Sequence, residues 1–72
     1  MKHPDTVKAD TCRTKARACE DDAADFRSDA ETYRSFPSLA ARCVAAAEAL
    51  EALAAAWNEQ AAYYDESARL TS

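Results

Sequence analysis

Three cysteines, one histidine and a cluster of acids are the residues with which this chain could do chemistry. Cys12 and Cys19 stand seven residues apart, about 10 Å along a helix axis. That is too far for a disulfide, whose Cα atoms lie within about 7 Å of each other. Cys43 belongs to a later segment, and the chain has no Cys-x-x-Cys and no Cys/His spacing suited to zinc. Metal held in a bundle core would need thiols from two chains. As isolated residues on an apolar stripe, the three cysteines read instead as small hydrophobes. His3 lies at an end expected to fray. A carboxylate-held metal pair draws on inward Glu-x-x-His motifs, and Glu20, Asp21, Asp22, Asp25 and Asp29 have no such histidine beside them. Glycine is absent, which excludes a loop that cradles phosphate. The expectation is a chain with no catalytic residues, no cofactor and no metal, and not an enzyme.

Charge leaves two binding possibilities. The net charge is −4, which is a poor basis for non-specific nucleic-acid binding. It is unevenly spread: residues 1–19 carry +3, residues 20–31 carry −5 and residues 32–72 carry −2. Asp22, Asp25 and Asp29 recur at i, i+3 and i+7, flanked by Asp21. Such a row on a rigid helix can imitate a phosphate backbone and occupy a basic groove, as small acidic inhibitors of nucleic-acid enzymes do. The opposite option is Lys8, Arg13, Lys15 and Arg17, a basic half that doubled in a dimer could contact RNA.

These residues must be positioned by helices. Sheet proteins of this size need turns, and turns lean on glycine. Alanine dominates the chain and is the strongest helix former. The first segment carries Ala9, Cys12, Ala16, Cys19, Ala23, Phe26, Ala30 and Tyr33 at alternating steps of three and four, the stripe of an amphipathic helix. In the second, the large residues give Leu39, Cys43, Ala46, Leu50, Leu53, Trp57 and then Ala61 or Tyr64. The expected fold is all-α: one domain over residues 1–72, an antiparallel helical hairpin with coiled-coil-like packing. Helix 1 spans about 4–34, the turn 35–38 and helix 2 about 39–69. Pro37 sets the break, either as the first residue of the second helix or ahead of a Ser38 cap. Folding about this turn places residue i opposite about 73 − i, so large residues meet small ones.

Two helices bury one stripe each, and helix 2 keeps apolar surface beyond its stripe. Ala41, Val44, Ala45, Ala49, Ala52 and Ala56, with Tyr63, form the expected partner-binding outer face. A homodimeric four-helix bundle or docking on another protein would cover it. In size and layout the chain resembles the small helical-hairpin dimers that regulate plasmid copy number by binding paired RNA loops, a resemblance of architecture alone. It is unlike the helical-hairpin secretion substrates with a Trp-x-Gly turn, since its turn is Ser35-Phe36-Pro37-Ser38. No run of about 18 apolar residues is present, and the first residues lack the apolar stretch of a secretory signal, so a cytoplasmic location is expected. The functional expectation is a small acidic protein-binding module. It would be an accessory factor or inhibitor of the kind phages and mobile elements encode, acting against host defence if the acidic face is the working one. The alternative is an RNA-binding dimer.

Overall fold

The computed structural model describes all 72 residues and consists of two helices joined by a turn. Helix α1 spans Pro4–Thr32 and helix α2 spans Pro37–Thr71. The chain forms an all-α antiparallel helical hairpin, 55 × 17 × 10 Å in Cα extent. It is a single layer, and neither broad face is covered by another element.

The turn comes earlier than its composition suggests. It occupies residues 33–36, rather than 35–38, because α1 stops at Thr32 and Pro37 opens α2 as its first residue. The missing N–H of proline costs nothing there. The Tyr33 N–H closes α1 on the Asp29 carbonyl at 2.9 Å, and the Phe36 N–H returns to the Tyr33 carbonyl at 2.8 Å. No residue in the chain has positive φ, so the turn needs no glycine.

The packing seam is built almost wholly of alanine. Nine residues are buried: Ala9, Cys12, Ala16 and Ala23 of α1, and Cys43, Ala47, Ala54, Ala61 and Ala68 of α2, all between 0 and 8% exposed. On α2 the buried alanines recur every seven residues, and Ala9, Ala16 and Ala23 do the same on α1. Of the α1 stripe expected from sequence, Ala9, Cys12, Ala16 and Ala23 take the seam, Cys19 and Ala30 are half-buried, and Phe26 and Tyr33 are exposed. The α2 stripe is used only in part: Cys43 and Ala61 are buried and Leu50, Trp57 and Tyr64 half-buried, but Leu39 and Leu53 are exposed and Ala46 only half-buried, while the adjacent line through Ala47 and Ala54 takes the seam. Backbones can approach closely only where the side chains on the line between the axes are small, and a leucine there would hold them apart. The larger residues therefore sit beside that line. Ala9, Cys12 and Ala61 pack together, with Trp57 and Tyr64 laid against them half-buried. Cys12 beside Ala61 keeps the register in which the two residue numbers sum to about 73.

The open end of the hairpin is tied by side chains. His3, expected to fray, is instead the N-cap of α1, its Nδ1 accepting from the Asp5 N–H at 3.0 Å. With Nδ1 accepting, the neutral ring carries its proton on Nε2, which donates to Thr71 Oγ1 at 2.9 Å. Thr71 Oγ1 passes the chain on to the Ser67 carbonyl, and Ser67 Oγ donates to Asp5 at 2.6 Å.

Candidate interaction surface

Beside the alanine seam, the hairpin has two unlike flanks. One is polar and carries two forked ion pairs. Arg13 donates to both carboxylate oxygens of Asp65, at 2.9 and 3.1 Å. Arg27 does the same to Glu51, at 2.9 and 2.6 Å. The hydrogen bond from Arg27 is the main cause that holds the Glu51 carboxyl below its ordinary value, and the same bond raises Arg27. At the open end, the hydrogen bond from Lys2 is the chief cause lowering Asp10.

Exposed pairs of this kind stabilise little, but they choose an alignment. The two arginines are fourteen residues apart, as are their two partners, so one register satisfies both. A slip of one heptad in either direction would part both pairs. It would also set Glu20 beside Asp65 or Glu51, and charges at such flanking positions fix orientation and register in coiled coils.

The other flank is apolar. Cys12, Leu53, Ala56, Trp57, Gln60 and Tyr64 line a shallow groove of about 350 Å³. The heptad of Cys12 continues on α1 through Cys19 and Phe26 to Tyr33 at the start of the turn, and that of Leu53 returns on α2 to Leu39. Phe26, Tyr33, Leu39 and Leu53 are between 38 and 47% exposed. Lys15 Nζ lies 4.5 Å from the Trp57 ring and Lys8 Nζ 5.5 Å from the Tyr64 ring, which places both lysines along the edge of this face. Tyr63, exposed as expected, packs edge-on against Tyr64 with ring centroids 5.3 Å apart.

The residues singled out from sequence are distributed as follows. Of the outer face, Ala41, Ala45, Ala49, Ala52 and Ala56 are exposed and Val44 is half-buried. Apart from Val44 they form one stripe on the side of α2 turned away from α1, with Ala45, Ala49, Ala52 and Ala56 at i, i+4, i+7 and i+11. By heptad position Val44 shares the polar flank with Glu51 and Asp65, and at the edge of the stripe Ala49, Ala56 and Tyr63 border the apolar flank. The basic set is divided. Arg13 and Arg17 line a small polar groove with Asp10 and Thr14, whereas Lys8 and Lys15 stand on the aromatic side. Asp21, Asp22, Asp25 and Asp29 are all exposed and none is in an ion pair. Asp22 and Asp29 lie on the same heptad line as Lys8 and Lys15, with Asp25 beside them.

Sequence reasoning missed the apolar flank because it assigned Leu39, Leu53 and Phe26 to the seam. The signal that identifies it is the pair of matching alanine heptads, one on each helix. Cys12 and Cys43 are buried and Cys19 is half-buried, all as free thiols. No group of three or more Cys, His, Asp or Glu is arranged to hold a metal ion, and no helix is long and apolar enough to cross a membrane. Searches against protein-family models, curated proteins and solved structures return no match to this chain, so its functional reading rests on its own geometry.

Proposed function

We propose that this chain is a non-enzymatic helical interaction module that works by covering its apolar flank with protein. The observation that carries this reading is an inversion of side-chain size. The buried seam contains only alanine and cysteine, while Phe26, Tyr33, Leu39 and Leu53 remain exposed beside half-buried Leu50, Trp57 and Tyr64. Large apolar side chains gathered on one face of a single-layer fold favour a partner, since their burial is worth about 25 cal/mol per Å². Aromatic residues at the centre with charged residues along the edge is also the usual anatomy of a protein interface.

A photo-crosslinking residue placed at Leu53 or Tyr33 tests the reading against the same residue at Ala45 or Ala52. Crosslinks to protein concentrated at Leu53 and Tyr33 are expected. Equal yields from the two pairs of positions would reject the apolar flank as the working surface.

A further inference from the structure

Resting on that reading, we propose that the occupant of the apolar flank is a second copy of this chain. The two copies would be related by a two-fold axis crossing α1 between Ala18 and Cys19, so that the two α1 helices run antiparallel across the interface.

Four charges on α1 point to the second copy. Lys8, Lys15, Asp22 and Asp29 occupy one heptad line of α1, seven residues apart, in the order plus, plus, minus, minus. Their line borders the apolar flank, because Lys8 and Lys15 lie over the rings of Tyr64 and Trp57. Within the hairpin Lys15, Asp22 and Asp29 make no ion pair, and Lys8 has only a 3.9 Å contact with Asp5. The sign pattern reverses about the middle of α1. Lys8 and Lys15 precede the Ala18–Cys19 junction by as many residues as Asp29 and Asp22 follow it.

An antiparallel α1 centred on that junction therefore meets each lysine with an aspartate. Lys8 faces Asp29 of the second copy, Lys15 faces Asp22, and the two-fold axis repeats both pairs. A partner of a single charge sign would satisfy one half of the line and oppose the other. A parallel second copy in register would set lysine against lysine. A self-complementary patch of this kind is what a two-fold interface requires.

Packing at the axis agrees with the charges. Ala18 is small enough to let the two α1 backbones come close, and Cys19, on the line of Cys12 and Phe26, would meet its own copy. In the register set by Cys12 beside Ala61, the middle of α1 is level with Ala54, and Leu50, Leu53 and Trp57 surround that level. The largest apolar cluster thus falls at the centre of the interface, and the four ion pairs fall along its edge.

Sedimentation equilibrium of the whole chain across a concentration series tests this, with circular dichroism confirming helicity. A dimer is expected. Lys15→Asp or Asp22→Lys alone should weaken it about tenfold, since each reversal turns two symmetry-related attractions into repulsions. Lys15→Asp combined with Asp22→Lys should restore it to within about threefold. In a Cys12→Ala, Cys43→Ala background, a short bismaleimide should join two chains through Cys19. A dimer that the double reversal does not restore overturns the two-fold arrangement. A helical monomer at high concentration overturns the second copy altogether. If such a monomer still crosslinks to other proteins from Leu53, the apolar flank survives as the working surface; if it does not, both readings fall together.

Discussion

Arg27 and Glu51 clasp each other across the two helices through two hydrogen bonds, and Arg13 and Asp65 repeat the clasp two heptads away. A seam of repeating alanines fits nearly as well after a shift of seven residues. The alignment therefore has to come from outside the seam, and these clasps supply it together with the short turn.

Reversing one partner should loosen the hairpin, and reversing both should repair it. Arg27→Glu is expected to lower the thermal midpoint by a few degrees. Arg27→Glu with Glu51→Arg should recover most of the loss, because the fork is rebuilt with its ends exchanged. Thermal unfolding by circular dichroism reads both. An uncoupled sum of the two single effects would mean that the clasp has no part in alignment.

The same pair sets an acid limit. Glu51 and Asp10 have carboxyls lowered in the folded chain, by Arg27 and Lys2 respectively. A lowered carboxyl contributes stability that is complete above its unfolded pKa and lost as pH falls through the folded value. The urea midpoint should therefore hold steady from neutral pH down to the ordinary carboxylate range, then decline below it. Glu51→Gln should be less stable at neutral pH and decline less steeply in acid.

The alanine seam should reject bulk. Ala47 is fully buried, and Ala47→Leu should destabilise the hairpin by about 1–3 kcal/mol through overpacking. Ala45→Leu, on the exposed side of the same helix, should change stability by less than about 0.5 kcal/mol. Urea denaturation separates the two; equal effects would show that the seam is not where steric tolerance is lowest.

The two helix starts differ, and one of them leaves room for improvement. Phe36 is the N-cap of α2, is largely exposed and gives its helix no side-chain hydrogen bond. Phe36→Asp should add about 1 kcal/mol by accepting from the first free N–H groups. His3→Ala should cost about 1 kcal/mol and raise hydrogen exchange at the Asp5 amide, which His3 holds.

The hairpin was legible in the sequence because its signals are independent. No glycine, one proline-marked break and an unbroken three-four stripe on α1 all require the same fold. The seam of α2 was less legible. Alanine occupies so many positions of that helix that several lines share the right period, and choosing by size selects Leu39 and Leu53. Backbone approach favours the opposite choice, since the smallest side chains belong between the axes. Leu39 and Leu53 are large enough to serve a partner and too large for the seam. His3 was illegible for a different reason. Its capping role depends on a ring nitrogen and on Thr71, sixty-eight residues away, and no local rule favours histidine there. The antisymmetric charges at Lys8, Lys15, Asp22 and Asp29 were visible as an acidic and a basic half. Their relation emerged only when the aromatic contacts of the lysines placed all four along one edge.

The turn described above has every residue at negative φ. Any L-amino acid can occupy Arg34 or Ser35 without backbone strain, and only Pro37 is held to a fixed torsion. Sequence drift in this chain should therefore be lopsided. The loop is free to vary in sequence at its present length, while the specification of the fold lies in methyl groups spaced seven apart along two rods and in the two clasps that align them.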